Sequence, residues 1–201
     1  LGEDEGCCGL ILYLLGMWEE AARNASKTVR KLEEQGVKQM VTSCAGCYYA
    51  FTKVYERLGV EVQFKVLHTS HMIEFLIFDE YLHPKKLEGT YVWHDPCDLG
   101  RHCKVFEPPR KVLRSIPKLD LMEPILNMEH SLCCGAGGGL WMYNSDLAER
   151  IAESKIMDEI KPMDVEGIIT GCPNCILSLK YASAEMSLSV FDISEIADRC
   201  L

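Results

Sequence analysis

Nine of the eleven cysteines fall into two sets whose spacing suits metal or redox chemistry. The fuller set is Cys97, Cys133-Cys134-Gly135 and Cys172-Pro-Asn-Cys175, with 35 residues between Cys97 and Cys133 and 37 between Cys134 and Cys172. The other, Cys7-Cys8-Gly9 and Cys44-Ala-Gly-Cys47, matches the last four cysteines of the first. Thiolates are the nucleophilic and metal-ligating form of cysteine, so number and spacing decide which chemistry is meant. A structural zinc is tetrahedral and saturates at four ligands, which five converging cysteines fit poorly. A cubane [4Fe–4S] cluster also takes four, usually from closely spaced C-x-x-C runs, and adjacent cysteines do not readily reach two corners of one cubane. A cluster of unusual shape, with neighbouring thiolates on different irons, fits five better. Either C-x-x-C alone would suit thioredoxin-like dithiol exchange, but each has a distant Cys-Cys-Gly partner in register. Gly135 and Gly137 to Gly139 would let the backbone approach a sulfur-rich centre and turn N–H groups towards its negative charge.

The elements that must position these thiols can be read from the pattern between them. Cys7-Cys8-Gly9 overlays Cys133-Cys134-Gly135 at an offset of 126, and the C-x-x-C pairs overlay at 128. Each C-x-x-C follows an apolar, β-branched run, Val37 to Thr42 and Val165 to Thr170, which predicts a buried strand ending at the motif. Helical patterns follow at Tyr48–Leu58 and Ile176–Met186, then further strands at Val62–Leu67 and Leu188–Phe191. Ser70 and Ser194 are expected to cap the next helices. Long helices at Glu19–Gln35 and Asn144–Ile160 separate each Cys-Cys-Gly from its strand, stopped by Gly36 and by Lys161-Pro162. A further strand, Thr90–His94, leads to Asp95-Pro96-Cys97. The expectation is an α/β fold of two pseudo-symmetric repeats with parallel sheets, residues 1–84 and 85–201, joined at the turn-rich His83–Gly89. The cysteines would gather at the C-terminal ends of the strands, where open α/β sheets place their ligands.

Composition narrows the class. A chain of 201 residues buries a core without disulfides, and with no signal peptide or ~20-residue apolar run the cysteines point to a reducing compartment and to metal or redox use. The run Gly9–Trp18 is too short to span a bilayer. A net charge of −9 excludes a basic nucleic-acid footprint. The chain opens on Leu1 with a cysteine pair six residues later, which reads as a piece of a longer protein.

Other residues near the cysteines carry two readings each. His94 and His102 flank Cys97 and are candidate proton donors, or a strand-end residue and a turn residue without a chemical role. Arg101 and Arg110 balance cluster charge or bind an anionic substrate, or pair with carboxylates. Cys103 and Cys200 stand outside the spacing and read as packed thiols, with a resolving role the sharper alternative for Cys103. His68 and His71 read as structural residues of a loop. Trp93, Trp141 and Tyr143 shield the site or simply pack.

The five-cysteine motif, with His94-Asp95-Pro96-Cys97-Asp98-Leu99-Gly100-Arg101-His102, Pro109-Arg110, Cys133-Cys134-Gly135-Ala136-Gly137-Gly138 and Thr42-Ser43-Cys44-Ala45-Gly46-Cys47, resembles the signature of the cysteine-rich CCG-domain family over nearly the whole chain. That family includes the catalytic B and D subunits of heterodisulfide reductases and the iron–sulfur subunits of glycolate, lactate and glycerol-3-phosphate dehydrogenases. The resemblance implies an oxidoreductase, the catalytic iron–sulfur subunit of a heterodisulfide-reductase-like complex, which reduces a disulfide at a non-cubane [4Fe–4S] cluster. Its ligands would be Cys97, Cys133, Cys134, Cys172 and Cys175. Cys7, Cys8, Cys44 and Cys47 would serve a first site whose opening cysteine lies upstream of Leu1, holding a second cluster or zinc. The alternative is a relay subunit passing electrons from a flavin dehydrogenase to quinone. Implied partners are the disulfide substrate, a ferredoxin-like cubane-cluster region or subunit, and a membrane cytochrome or flavoprotein. The implied location is cytoplasmic, at the inner face of the membrane through a partner subunit.

Overall fold

The computed structural model describes Gly2 and residues 5–200. Two parallel sheets carry the chain. One pairs β1 (Gln39–Thr42) with β2 (Lys65–His68), and the other has the order β4-β3-β5-β6, with β3 at Gly89–Trp93, β4 at Leu119–Met122, β5 at Gly167–Thr170 and β6 at Ser189–Asp192. All pairings are parallel, so the fold is α/β with parallel sheets. Thr42 lies opposite His68 at the end of β1–β2, and Thr170 lies opposite Asp192 at the end of β5–β6.

Among the described residues ten α-helices connect and cover the strands: α1 (Leu10–Leu14), α2 (Trp18–Glu34), α3 (Ala45–Tyr49), α4 (Tyr55–Arg57), α5 (Thr69–Phe78), α6 (Glu107–Arg114), α7 (Leu140–Tyr143), α8 (Ser145–Lys155), α9 (Pro173–Ala182) and α10 (Ile193–Arg199). Buried Ala21, Ala25, Val29 and Leu32 recur at helical spacing along α2, giving it one apolar stripe against the first-repeat core. In the larger sheet alternation separates two cores. Val92, Ile168 and Val190 face the side that also holds Cys134, Cys172 and Cys175, while Tyr91, Trp93, Ile169 and Phe191 face the opposite side. Among the described residues no helix is long and apolar enough to cross a membrane.

Four local readings are corrected. The helix at 69–78 is capped by His68, whose side chain accepts the Ser70 N–H, and the helix at 193–199 by Asp192, which accepts from Ser194 N–H; neither serine is the cap. His68 is therefore a strand end and cap rather than a loop residue. The helix from Ser145 gives way to a π-helical turn at Ile156–Ile160. The interval between Cys97 and Cys133 holds a helix and a strand, α6 and β4, that its short and Pro-rich pattern did not announce.

Candidate metal centre

The five cysteines of the second set arrive at the C-terminal edge of the larger sheet from three directions. β3 runs out into Asp95-Pro96-Cys97, and Cys97 opens a π-helical turn at Asp98–His102. β5 ends at Thr170, after which Cys172 sits at the N-cap of α9 and Cys175 in its first turn. Cys175 lowers Cys172, but Cys44 and burial push it up to about 11, and Cys134, Cys172 and burial push Cys175 well up. Cys133 and Cys134 come from the loop before α7. The Cys134 Sγ lies 3.1 Å from the Cys175 Sγ. The Cys97 thiol donates to Asp98 Oδ1 at 3.9 Å, and Cys133 acts on Cys97, as Cys175 does on Cys172, closely enough to shift its titration. All eleven cysteines are free thiols.

The first set repeats this arrangement. Cys44 caps α3 and accepts the Cys47 N–H at 3.4 Å, and Cys47 lies near enough to Cys8 to lower its thiol to about 7. The two Cys-Cys-Gly turns are built alike. Gly9 and Gly135 have φ of 75° and 83°, and their N–H groups donate at 3.4 Å to the Cys7 and Cys133 sulfurs. A Cβ is excluded at Gly135, where it would fall 2.6 Å from the Ala148 carbonyl oxygen, and at Gly9 it would be strained by the left-handed backbone and would force the Asn24 side-chain amide, 2.7 Å away, to move. The second thiol's carbonyl is pinned in each turn: Tyr55 Oη–H donates to Cys8 O at 2.8 Å, and Ser178 Oγ–H to Cys134 O at 2.6 Å.

Cys44 and Cys172 act on each other's titration, so the two sets lie near one another. Neighbouring thiols donating to Cys44 (from Cys172 and Cys47) and to Cys133 (from Cys134 and Cys97) hold both far below the ordinary thiol range, while Cys47, Cys97 and Cys134 are pushed up by the same hydrogen bonds. In the first set Cys8 is lowered as well, to about 7, chiefly by Cys47. Asp98, absent from the sequence reading as a functional residue, lies at this junction: burial and the nearby Cys44 and Cys133 raise its carboxyl to about 6. Only proximity created by the fold marks it.

A buried ion-pair network holds the loops. Arg110 donates to both Asp95 carboxylate oxygens at 2.7 and 2.8 Å and to both Glu123 oxygens at 2.8 Å. Asp95 also accepts Trp93 Nε1–H and Met128 N–H, each at 2.8 Å, so one carboxylate orients the approach to Cys97 and the loop towards Cys133. Arg101 donates to the carbonyls of Glu129 (3.1 Å) and Ser131 (2.5 Å). Carboxylates and carbonyls therefore occupy both arginines. His68 Nδ1 accepts the Ser70 N–H at 3.2 Å, which leaves its Nε2–H to donate to the Gly171 carbonyl at 2.9 Å, tying the first repeat to the turn before Cys172.

His94 stands at the second set, with a ring nitrogen and the Cys134 and Cys175 sulfurs all within 4.8 Å of one another. Burial lowers it to about 3, so the ring is neutral. His102 is exposed and stacks on Tyr49 at 4.7 Å. Cys103 is half-buried between the cores, 3.7 Å from Thr52 Oγ1, and Cys200 is buried under α5 and α10. Trp93 packs on the far face of the sheet and Tyr143 is exposed.

The donor set fits an iron–sulfur centre. It consists of soft thiolates at helix N-termini and beside Gly N–H groups, and His94 offers two buried nitrogens without partners at the same place.

The family model described as a cysteine-rich domain, CCG, matches residues 1–52 and 91–180. The chain is 39% identical over 180 residues to the D subunit of dihydromethanophenazine:CoB–CoM heterodisulfide reductase from Methanosarcina acetivorans, covering 87% of this chain and 44% of that protein. It is 35% identical over 196 residues to the B subunit of fumarate reductase (CoM/CoB) from Methanothermobacter marburgensis, with 96% and 38% covered. It is 31% identical over 208 residues to EtfAB:quinone oxidoreductase of Syntrophomonas wolfei, with 98% and 29% covered. The chain spans less than half the length of each of these three relatives.

Proposed function

The chain belongs to the CCG cysteine-rich domain family, and on that premise we propose that it is the catalytic iron–sulfur part of an oxidoreductase that reduces a disulfide. The observation that carries the reading is the convergence of Cys97, Cys133, Cys134, Cys172 and Cys175, with Cys134 and Cys175 3.1 Å apart. Five thiols exceed what zinc or a cubane takes, which supports a non-cubane [4Fe–4S] cluster at the second site. Cys7, Cys8, Cys44 and Cys47 form the first site, for a second cluster or zinc. The two repeats, 1–84 and 85–201, then each contribute one site.

Reduction of a disulfide consumes two electrons and two protons and releases two thiols. A bound iron–sulfur cluster supplies electrons one at a time and iron as a seat for sulfur. The chain's own residues do the rest. The Gly9 and Gly135 N–H groups and the α9 N-terminus stabilise negative sulfur, and the Arg110–Asp95 pair fixes the Cys97 loop. Asp98, near Cys44 and Cys133, has its carboxyl raised to about 6, which suits it to take up and pass on a proton near neutral pH. Electrons arrive from a ferredoxin-like cubane-cluster region or subunit, and a membrane cytochrome or flavoprotein completes the complex at the inner face of the membrane, with this chain in the cytoplasm.

The test is anaerobic reconstitution with iron and sulfide, followed by metal analysis and EPR of the wild type beside Cys134→Ser, with a disulfide added during oxidation. A paramagnetic signal that grows with the disulfide and is lost in the variant is the expected result. Stoichiometric zinc without iron refutes the reading. A relay from flavin to quinone is the second reading, favoured by the similarity to EtfAB:quinone oxidoreductase; iron uptake with no response to any disulfide selects it.

A further inference from the structure

Among the described residues three buried side-chain polar atoms have no hydrogen-bond partner: Nδ1 and Nε2 of His94 and Oγ1 of Thr170. They lie side by side. β3 and β5 pair in parallel with Trp93 opposite Ile169, and the His94 N–H donates to the Ile169 carbonyl at 2.9 Å, so the next step of the ladder sets His94 beside Thr170. Alternation then fixes their direction. Val92 and Ile168, two residues earlier on each strand, pack with Cys134, Cys172 and Cys175, so His94 and Thr170 face those thiols as well. Both are out of water, at 1% and 0% exposure.

Buried polar groups are almost always paired, and an orphan calls for a specific explanation. Three orphans on one face, at the edge where five thiols converge, share one explanation: their partner belongs to what the thiols hold. The first repeat supplies a contrast. Thr42, the counterpart of Thr170, accepts the Cys44 N–H at 3.2 Å, whereas the Thr170 hydroxyl has no such partner.

We propose that His94 and Thr170 are hydrogen-bond donors to the sulfur of the centre held at the second site, and that they raise its reduction potential. A neutral imidazole has one N–H to give and a threonine one O–H. Donors to sulfur favour the more negatively charged reduced state, and hydrogen bonds to sulfur are one of the levers that set cluster potentials. This inference rests on the reading of an iron–sulfur centre at Cys97, Cys133, Cys134, Cys172 and Cys175.

The decisive comparison uses Thr170→Val, which keeps the side chain's shape and removes the hydroxyl, Thr170→Ser, which keeps the hydroxyl, and His94→Leu. Each is reconstituted anaerobically with iron and sulfide and followed by metal analysis, EPR-monitored redox titration, and proton ENDOR in H₂O and D₂O. At full iron content, Thr170→Val should fall about tenfold in its reduced-to-oxidised ratio at fixed poise, a shift of about 59 mV for one electron, with Thr170→Ser near wild type. An exchangeable proton coupling should vanish in His94→Leu. Metal-free Thr170→Val should unfold at the same denaturant concentration as wild type or higher, because it removes an unpaired hydroxyl, which separates this role from a structural one. If His94→Leu does not fold, the isosteric threonine pair carries the test alone. Unchanged potentials and couplings at full iron content overturn the inference and leave the cluster standing. Wild type that takes up no iron or sulfide refutes the cluster itself, and the inference with it.

Discussion

Alanine at three positions of the run Gly135-Ala-Gly-Gly should produce three different stabilities, because the structure asks different things of each glycine. At Gly135 φ is +83°, and a Cβ would sit 2.6 Å from the Ala148 carbonyl oxygen and 3.1 Å from the Ile151 Cβ. The left-handed conformation costs an L-residue about 1–2 kcal/mol, and forcing a methyl against backbone adds about 1–3 kcal/mol of overpacking. The total, about 2–5 kcal/mol, is a large part of the ~5–15 kcal/mol that holds a typical domain. Gly138 shares the left-handed backbone, with φ +64°, but has nothing within 4 Å. Gly138→Ala should therefore cost only about 1–2 kcal/mol. Gly137 has neither constraint. Its alanine variant should be neutral or up to about 1 kcal/mol more stable, through the lower entropy of the unfolded chain. Urea unfolding of the metal-free proteins measures the series, with constant m-values confirming that midpoints report stability. Iron content after reconstitution is the second readout: Gly135→Ala should lose it, since the Cys133–Cys134 turn cannot keep its shape. Equal costs at Gly137 and Gly135, or a Gly135→Ala cost below about 1 kcal/mol, would refute the reasoning.

Two further outcomes are expected. Arg110→Met should destabilise the protein by about 3–5 kcal/mol, because it strands the buried Asp95 carboxylate, measured by urea unfolding at pH 7. Burial pushes the Asp95 carboxyl up, but hydrogen bonds and charge from Arg110, with Met128 and Trp93 donating, hold it below the usual range. Its stabilisation is thus present above the unfolded value of about 3.9 and is lost as pH falls through the lower folded value; Asp95→Asn should flatten that acid limb in a pH series of unfolding midpoints. Cys103→Ala and Cys200→Ala should leave iron and sulfide content unchanged, because neither thiol belongs to either cysteine set. A drop of one iron or more in either variant, by metal analysis, would show otherwise.

Cysteine number and spacing, read with the strand–helix order around them, were enough to predict an α/β fold with parallel strands leading to the C-x-x-C motifs, because those signals are local: a β-branched run, a C-x-x-C, then a helical period. Strand β4 escaped because Leu119-Asp-Leu-Met122 is too short for a period-two pattern to stand out. Helix α6 carries its prolines in its first turn, where no intrahelical N–H partner is needed, and no element was assigned there from the sequence. Assigning the caps to Ser70 and Ser194 missed by two residues, since a strand-end His68 or Asp192 meets the same backbone N–H groups from outside the helix.

What only tertiary structure decided are the relations between distant segments. Spacing alone does not reveal that Cys44 lies near Cys172, that Asp98 lies near both sets, or that Arg110 closes a network with Asp95 and Glu123 instead of facing a cluster. The physical reason is that these contacts form across the sheet edge and between repeats, where parallel pairing brings together side chains far apart in the chain. The same pairing leaves His94 and Thr170 buried together without partners, at the place where the thiols converge.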